Sequence, residues 1–331
     1  LNIPQFKFNY YSEIIVYDHK ENIFYYTNEE KNNDWKEKIE NLKKVVKKRE
    51  PKEIGEIKSS FSYKKYEKAI LKTKEYIELG DIYQANISQR FFLDFEYDPK
   101  DFYLKLRTLS PAPFGAYLKE ENYTIVCNSP ERFLFKKGSY IETCPIKGTR
   151  KRYFDYKRDK LAKKELKNSE KDKAEHLMIV DLERNDLGKI CETGTVKVKK
   201  MFSIESYANV HHMVSTVYGK LKKGFDVTDC LKATFPGGSI TGAPKIRSME
   251  IIDELEPVKR GIYCGSIGYI DNSGNFDFNI AIRTGVITNK KLYFYVGGGI
   301  VADSQPDLEY EETITKAKAF LSALNLMDIK E

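Results

Sequence analysis

The stretch GSIGYIDNSGNFDFNIAIRTGVITNKKLYFYVGGG, residues 265–299, decides the fold of this chain. Turn signals near Ser273 and Asn289 divide it into three segments that are rich in apolar, aromatic and β-branched residues. Both turns are short, and short turns join neighbouring strands that run in opposite directions. The stretch therefore predicts an antiparallel meander of three strands.

Arg283 lies in the middle strand of this predicted meander. With simple hairpin register it would sit opposite Tyr263 on one side and Val296 or Gly297 on the other. The glycines Gly297–Gly299 would leave the backbone beside it open to a ligand. Because a guanidinium can bind both oxygens of a carboxylate, this row of residues predicts a carboxylate-binding site. The alternative is an arginine on a solvated strand face, with the glycines forming a bulge.

Outward from this stretch, strands and helices alternate irregularly and several hairpins are adjacent. This order favours an α+β fold with large antiparallel sheets over a doubly wound parallel sheet. We interpret residues 1–54 as the remnant of an N-terminal region, with two strands around the turn DHKEN and a lysine-rich linker over residues 31–53. Residues 55–331 form the main domain. A long charged helix is expected over about residues 155–180.

The composition excludes several classes of protein. The 331 residues are 41% hydrophobic and 13% aromatic, which is enough for a packed core. The net charge of +7 is small, and the lysine runs lack interleaved aromatic residues, so nucleic-acid binding is not expected. Five scattered cysteines predict neither a zinc site nor disulfides and indicate a reduced, cytoplasmic protein. No apolar run is long enough to cross a bilayer, so no membrane association is expected.

The segment PGGSITGAPK, residues 236–245, is a second candidate anion site. A glycine loop precedes a helix, and the N–H groups of Gly242 and Ala243 would be free near its N-terminus. The hydroxyls of Ser239 and Thr241 would add further donors. The segment is not a P-loop, because its lysine follows a proline.

The last predicted helix places charged residues on one face. Glu309, Glu312 and Lys316 are spaced so that they share this face, and apolar residues form the opposite one. Together with Glu175, the two glutamates could supply the hard oxygen ligands that Mg²⁺ prefers. Solvated surface charge is an equally good interpretation of the spacing.

Nine motifs, in order along the chain, resemble those of the chorismate-utilising enzymes. This family includes component I of anthranilate synthase and of aminodeoxychorismate synthase, together with isochorismate synthase and salicylate synthase. The resemblance covers about residues 60–325. The motifs are GDIYQANISQRF, SPERFL, PIKGTRKR, EHLMIVDLERNDLGKI, HHMVS, FPGGSITGAPKIRSMEIIDELEP, RGIYCGSIGYI, FNIAIRT and VGGGIVADSQPDLEYEET.

The resemblance implies a large α/β sandwich of two packed, mainly antiparallel sheets with outer helices, in which residues 55–331 form a chorismate-binding catalytic domain. It implies chorismate, a cyclohexadiene with two carboxylates, as the substrate and Mg²⁺ as the cofactor. The implied metal ligands are Glu175 and Glu312, with Glu309 close by. The implied substrate-binding groups are Arg283, Tyr263, Ser239, Thr241, Lys316 and the backbone of Gly297, Gly298 and Gly299, with His212 near the substrate ring.

Two positions separate the branches of this family. Isochorismate and salicylate synthases carry a lysine where this chain has Gln84, and a glutamine cannot deprotonate water. Aminodeoxychorismate synthases resemble PIKGT at Lys147, whereas anthranilate synthases resemble PIAGT. The resemblance therefore points to the aminodeoxychorismate synthase branch of folate biosynthesis, with ammonia supplied by a separate glutamine amidotransferase subunit.

In that branch Lys147 would add to ring carbon 2 of chorismate. Glu131 of the SPERF motif would protonate the departing 4-hydroxyl and act as the base in the return step. Burial beside a cation would lower the pKa of Lys147 and supply the neutral amine. For Lys147 the alternative is a surface salt bridge, and for His212 it is a satisfied strand histidine. For the protein, the alternatives are an anthranilate synthase component I and an inactive chorismate-binding regulatory subunit.

Overall fold

The computed structural model describes residues 1, 3–29, 37, 40 and 55–326. The chain divides into two compact units, Leu1–Glu50 and Pro51–Glu331. In the first unit, strands β1 (Glu13–Asp18) and β2 (Ile23–Asn28) form an antiparallel hairpin, which confirms the two strands predicted around the DHKEN turn. The predicted linker over residues 31–53 lies outside the described residues except at positions 37 and 40, so the boundary at residue 54 stays a prediction.

The second unit contains two seven-stranded sheets, and every strand pair in them is antiparallel. Sheet I consists of β3 (Lys58–Ser59), β4 (Gln84–Asp94), β5 (Phe114–Lys119), β6 (Thr124–Ser129), β12 (Gly242–Ala243), β15 (Thr284–Thr288) and β16 (Lys291–Ile300). Sheet II consists of β7 (Arg132–Lys137), β8 (Tyr140–Cys144), β9 (Ile146–Lys151), β10 (Lys197–Ser206), β11 (Val210–Lys220), β13 (Gly268–Ile270) and β14 (Phe276–Asn279). The order in sheet I is β12-β4-β16-β15-β6-β5, with β3 beside β4, and in sheet II it is β10-β11-β8-β7-β14-β13, with β9 beside β11.

Helices complete this unit. They are α1 (Tyr63–Glu78), α2 (Pro99–Leu109), α3 (Tyr156–Asn168), α4 (Glu170–Ile190), α5 (Val227–Thr234), α6 (Lys245–Leu255) and α7 (Pro306–Ala323), with a short 3₁₀ helix at Gly238–Ile240. The predicted α+β fold with antiparallel sheets is confirmed. No helix among the residues that the structure describes is long and apolar enough to cross a bilayer.

The single long helix predicted over residues 155–180 is wrong, because two helices occupy that region. Ser169 separates them with an extended backbone, at φ −70° and ψ 107°. Its hydroxyl accepts a hydrogen bond from the N–H of Asp172 and so caps the start of α4. A serine hydroxyl that accepts a hydrogen bond from a free N–H group at a helix N-terminus favours the start of a new helix at that position.

The predicted three-stranded meander is also wrong, although both of its hairpins form in the expected register. Gly268 lies opposite Phe278 in sheet II, and Gly285 lies opposite Phe294 in sheet I. Between them the chain passes from one sheet to the other, and it bends at Arg283, which has a φ of +49°. The stretch therefore links the two sheets instead of lying within one.

A second passage between the sheets, from β6 to β7, lies directly beside this one. The N–H of Ile280 donates to the carbonyl of Glu131 at 3.0 Å, and the N–H of Asn128 donates to the carbonyl of Arg283 at 3.0 Å. The hydroxyl of Ser129 donates to the carbonyl of Ile280 at 2.6 Å. These bonds hold Glu131 and Arg283 on two neighbouring crossings where the sheets join.

Apolar packing covers sheet I with helices on its outer side. Phe294 of β16 is fully buried and stacks on Phe320 of α7, with 4.7 Å between the ring centroids. Phe91 and Phe102 belong to the same cluster. Such aromatic rings bury large apolar areas, so this cluster anchors α2 and α7 to the sheet.

The substitution Phe294→Ala should lower the free energy of unfolding by about 3 to 5 kcal/mol, because it removes a large buried ring and leaves a cavity. Denaturant unfolding followed by circular dichroism would measure the loss. Phe154, which is fully exposed, provides the control, since Phe154→Ala should leave the unfolding midpoint nearly unchanged. Equal midpoints for Phe294→Ala and the unsubstituted protein would contradict the packing described above.

Candidate active site

Lys147 lies in β9 with its amine directed into the protein. A Cβ atom placed on Gly299 would lie 2.9 Å from Lys147 Nζ and 2.8 Å from Gln84 Nε2. The amine therefore faces the end of β16 and the start of β4, across the junction of the two sheets. A lysine in a surface salt bridge, the alternative left open by the sequence, is excluded by this placement.

The surroundings of Lys147 favour the neutral amine. Burial lowers its pKa, and the ammonium of Lys316 lowers it further, while the carboxylates of Glu175, Glu131 and Glu312 oppose the shift. The net shift is downward. A buried lysine with a lowered pKa is the usual form of a lysine nucleophile.

Glu131 is a buried carboxyl in the passage between β6 and β7. Its Oε1 accepts a hydrogen bond from the N–H of Ile146 at 3.2 Å. Burial raises its pKa to about 7, although hydrogen bonds from Ser239 and Ile146 and the charges of Lys147 and Arg283 oppose the rise. A carboxyl that titrates near neutral pH can both donate and accept a proton in one catalytic cycle.

The Arg283 side chain is available to an anion. Among the described residues, no group accepts a hydrogen bond from its guanidinium, and Glu131 is the carboxylate whose charge acts on it. Burial lowers its pKa. Its backbone has a φ of +49°, in the left-handed region that non-glycine residues seldom adopt. A buried and unpaired guanidinium is costly unless a ligand pairs with it.

No hydrogen bond among the described residues joins the side chains of Tyr263 and Arg283. Its ring instead stacks on Tyr295, with 5.3 Å between centroids, and lies beneath the guanidinium of Arg260 at 5.7 Å. Burial raises its pKa well above the ordinary value. The shared role predicted for Tyr263 and Arg283 stays a prediction.

His212 lies in β11, with its ring buried. Its Nδ1 is 2.8 Å from the hydroxyl of Thr149, whereas its Nε2 is buried without a partner among the described residues. Burial lowers its pKa to about 3, with Arg283 and His211 adding to the shift. The lowered pKa favours the neutral imidazole. Nδ1 has a hydrogen-bond partner, as expected for a satisfied strand histidine, but Nε2 has none among the described residues.

The acidic residues of α7 face the glycines of β16. A Cβ atom on Gly298 would lie 3.2 Å from Glu309 Oε2 and 3.4 Å from Glu312 Oε1. Lys316 pairs with Glu312 at 2.6 Å and donates to the carbonyl of Gly297 at 2.7 Å. The three charged residues predicted to share one face therefore line the strand that carries the glycines.

These carboxylates fit Mg²⁺ by their chemistry. Burial raises the pKa of Glu309, and the neighbouring charge of Glu312 raises it further, so a cation would relieve repulsion there. Burial likewise raises the pKa of Glu175, which acts on Lys147. Within the described residues no three His, Cys, Asp or Glu side chains converge on one point. Mg²⁺ commonly takes one or two protein carboxylates and completes its shell with water and substrate oxygens.

The segment PGGSITGAPK is not the open loop that the sequence predicts before a helix. Gly242 and Ala243 form β12 and pair with Ala85 and Gln84 of β4, so this part of the segment is a strand and not an open loop. The hydroxyl of Thr241 donates to the carbonyl of Gly237 at 2.9 Å. The Ser239 hydroxyl opposes the rise in the pKa of the Glu131 carboxyl.

A cavity of about 510 Å³ adjoins this group of residues. Its wall includes Glu175, Tyr83 next to Gln84, and Val301 just beyond the glycines of β16. Lys171 and Asp303 also line it and form an ion pair at 3.1 Å. The cavity provides space for a small ligand beside the predicted site.

Sequence reasoning missed Glu183, a second buried carboxyl close to the site. It accepts a hydrogen bond from the N–H of Gly238 at 2.9 Å. Glu183 lies within the quoted motif EHLMIVDLERNDLGKI, but its residue type and spacing gave it no role.

Comparison with known proteins identifies relatives along nearly the whole chain. The family model described as chorismate binding enzyme matches residues 1–322. Anthranilate synthase component 1 of Aquifex aeolicus is 46% identical over 82% of this chain and 55% of its own length. Aminodeoxychorismate synthase component 1 of Bacillus subtilis is 40% identical over 99% of this chain and 72% of its own length. The chain thus spans little more than half of the first of these relatives.

A solved structure shares the fold. The crystal structure of anthranilate synthase component I from Streptococcus pneumoniae aligns with a TM-score of 0.84 at 36% identity, covering 94% of this chain and 72% of the other. The resemblance inferred from the nine motifs is confirmed by these matches.

If the carboxylates of α7 hold a divalent cation, Glu312→Gln should weaken Mg²⁺ binding by about tenfold or more, because it removes a charged oxygen ligand. Titration calorimetry would measure the affinity. Glu311→Gln provides the control, since Glu311 is exposed beside Glu312 and should bind Mg²⁺ as the unsubstituted protein does. Unchanged affinity in Glu312→Gln, in Glu309→Gln and in Glu175→Gln would exclude these residues as ligands.

Proposed function

Because the chain belongs to the chorismate-binding enzyme family, we propose that it is the aminating subunit of 4-amino-4-deoxychorismate synthase. The reaction would convert chorismate and ammonia to 4-amino-4-deoxychorismate and water. The observation that carries the proposal is the buried amine of Lys147 with a lowered pKa, in a site that also holds the Glu131 carboxyl. Aminodeoxychorismate synthase component 1 of Bacillus subtilis, whose name gives this activity, is 40% identical over 99% of this chain.

The first step of the proposed reaction uses Lys147 and Glu131. The neutral amine forms a bond to ring carbon 2, the ring double bond shifts, and the bond from carbon 4 to its hydroxyl breaks. Glu131 gives its proton to that hydroxyl, which leaves as water. A pKa of about 7 means that a large fraction of Glu131 carries this proton at neutral pH.

The second step reverses the first with a different nucleophile. Ammonia forms a bond to ring carbon 4, the double bond shifts back, and the bond between carbon 2 and the Lys147 nitrogen breaks. The ionised Glu131 accepts the proton that the new amine releases, which restores both groups. No atom of the enzyme is consumed.

Binding of chorismate would divide its two carboxylates between two regions. Arg283, with a guanidinium that no described residue occupies, suits the enolpyruvyl carboxylate. Glu175 and Glu312, with Glu309 close by, would hold Mg²⁺ together with water and substrate oxygens, and the bound ion would neutralise the ring carboxylate. The neutral His212 offers its free Nε2 to the ring, and Lys316 would lie near the substrate.

Ammonia would come from a separate glutamine amidotransferase subunit. The names of the relatives call each of them component 1 of its synthase, which implies a further component for those proteins. Free ammonium at raised pH should replace such a partner in a test of this chain alone.

Anthranilate synthase component I is the second candidate, because relatives with that name are as similar to this chain as those named for aminodeoxychorismate synthesis. Incubation with chorismate, Mg²⁺ and ammonium, followed by mass spectrometry, separates the two. Aminodeoxychorismate supports the proposal, whereas anthranilate with pyruvate would show the other activity. Chorismate binding without any product would indicate an inactive regulatory subunit.

Lys147→Ala should reduce amination at least about a hundredfold while chorismate affinity changes little, because a nucleophile acts on the reaction more than on binding. Steady-state rates and chorismate titration would measure the two effects. Lys151→Ala is the matched control, since Lys151 is exposed on the same strand and should leave both unchanged. Equal losses in rate and affinity for Lys147→Ala would show that the lysine only binds.

A further inference from the structure

Lys147 lies in a β-bulge of β9. Where β9 pairs with β11, two residues of β9, Lys147 and Gly148, lie opposite a single residue of β11, Met213. Gly148 has a φ of +79°, in the region that favours glycine. A bulge bends its strand and changes the direction in which neighbouring side chains point. The direction of the Lys147 amine therefore depends on what holds this bulge in place.

The bulge packs against the two helices that follow β9. A Cβ atom on Gly148 would lie 3.0 Å from Cγ of Asp172, in the first turn of α4, and 3.0 Å from Cδ1 of Leu166, near the end of α3. Leu166 is fully buried. A side chain at position 148 would therefore press on both helices, and its absence lets the backbone of the bulge lie directly against them.

Arg150, two residues beyond the bulge, binds one carboxylate on each of these helices. Its Nη2 donates to Oδ2 of Asp172 on α4 at 3.0 Å, and its Nε donates to Oε1 of Glu165 on α3 at 2.8 Å. Its Nη1 donates to the carbonyl of Thr149 at 3.0 Å, which holds the guanidinium against its own strand. The side chain of Asp172 is 20% exposed and that of Glu165 is 67% exposed, so the bond to α4 is the better sheltered from water.

The face of α4 that carries Asp172 is bonded to sheet II a second time. His176 lies four residues after Asp172, and this spacing places the two side chains on one face of the helix. His176 Nε2 is 2.7 Å from the hydroxyl of Ser215 in β11, and the N–H of Ser215 donates to the carbonyl of Pro145 at 3.3 Å, just before β9. The two bonds of α4 thus lie on either side of the bulge, and Glu175 lies between Asp172 and His176 on the helix.

We propose that Arg150 is a positioning residue for Lys147. By binding Asp172, it holds the bulge of β9 against α4 and so fixes the direction of the Lys147 amine. Arg150 does not act on the substrate itself, because its guanidinium is bonded to its own strand and to both helices. A reacting group that is displaced by about 1 Å can lose about a hundredfold in rate, so this bond supports the reaction. The inference rests on the nucleophilic role proposed for Lys147.

Chemical labelling of the Lys147 amine tests this role without turnover. The chain is treated with acetic anhydride at one pH, and peptide mapping by mass spectrometry gives the labelling rate of Lys147 relative to that of the exposed Lys151. Asp172→Ala should raise this ratio by about fivefold or more, because local opening exposes the amine. Glu165→Ala is the matched control, since it removes the other carboxylate of the same arginine and should leave the ratio unchanged. Equal ratios in the two variants would overturn the proposal.

Arg150→Ala shows whether the arginine and its partner act through one bond. It should raise the labelling ratio of Lys147 as much as Asp172→Ala does, and the double variant should raise the ratio no further, because both changes remove the same bond. Effects that multiply in the double variant would show that Arg150 and Asp172 act separately, which would contradict the proposal.

Lys245 separates local from general loosening of the fold, because its side chain is only 12% exposed and bonds to Asp186 and to the carbonyl of Thr234. Its labelling rate should stay constant in Asp172→Ala, and a rise at Lys245 equal to that at Lys147 would overturn the positioning role. If circular dichroism shows that Asp172→Ala does not fold, Asp172→Asn takes its place, since asparagine keeps the size of the side chain and removes its charge. The expected rise at Lys147 is then about twofold, because a neutral acceptor makes the weaker bond, and its absence would count against the proposal.

Turnover adds a readout of function. In Asp172→Ala, kcat for amination should fall about tenfold or more while KM for chorismate changes less than about twofold, because the nucleophile is displaced and the substrate contacts remain. Glu165→Ala should change neither value. A rise in KM with unchanged kcat in Asp172→Ala would refute the positioning of the nucleophile. Absence of aminodeoxychorismate from the unsubstituted chain would refute the proposed function alone, since the labelling comparison does not depend on turnover.

Discussion

The structure depends on two neighbouring passages of the chain between its two sheets. The hydrogen bond from Ile280 to the carbonyl of Glu131 and the bond from Asn128 to the carbonyl of Arg283 join these passages to each other. These bonds satisfy two backbone N–H groups and two carbonyls where the chain leaves the sheets. Because the backbone there is satisfied and buried, it holds two charged side chains in fixed positions. Glu131, the predicted acid, and Arg283, the predicted carboxylate-binding residue, thus lie where the chain joins the two sheets.

Burial and charge act against each other throughout the site. Burial raises the pKa of Glu131 and lowers that of Lys147, so both groups move towards their neutral forms. Their mutual attraction would favour the charged forms, and the net shifts show that burial outweighs it. An ion pair in water would keep a charged lysine and a charged glutamate, which could neither attack carbon nor give a proton. The interior location therefore favours the neutral forms of both groups, which the proposed reaction requires.

Local patterns predicted the elements well and their connections less well. Alternating residues and turn signals predicted the hairpins around Ser273 and Asn289 with the register that the structure shows. The local patterns did not predict that β14 and β15 lie in different sheets. The alternation of apolar and polar residues is the same for one continuous strand and for two strands joined by a bend at Arg283. The Ser169 cap and the pairing of Gly242 with Ala85 were missed for a related reason. Both depend on which partner a backbone group finds, and this is decided by the assembled fold.

Local sequence patterns predicted the residues of the candidate site even less completely than the connections of the fold. Spacing on one helix face predicted that Glu309, Glu312 and Lys316 lie together, because helix geometry is local. Nothing local distinguishes Lys147 from the many exposed lysines of this chain, since its burial depends on Gly299 and Gln84 from distant strands. The resemblance to a family supplied that information for Lys147, whereas Glu183, although it lies in one of the nine motifs, was given no role by it.

The neutral side chain of Gln84 completes the electrostatic argument. Both polar atoms of its amide are buried without a partner among the described residues, and the amide lies beside Lys147 across Gly299. A lysine at this position would place two ammonium groups in one buried space, and each would lower the pKa of the other. Two neutral amines would then compete for the ring, one of them able to activate water. With an uncharged amide there, the amine whose charge acts on Lys147 is Lys316, which pairs with Glu312 and donates to the carbonyl of Gly297. Under the proposed function, Gln84 leaves Lys147 as the attacking group, whereas a lysine at position 84 would favour attack by water.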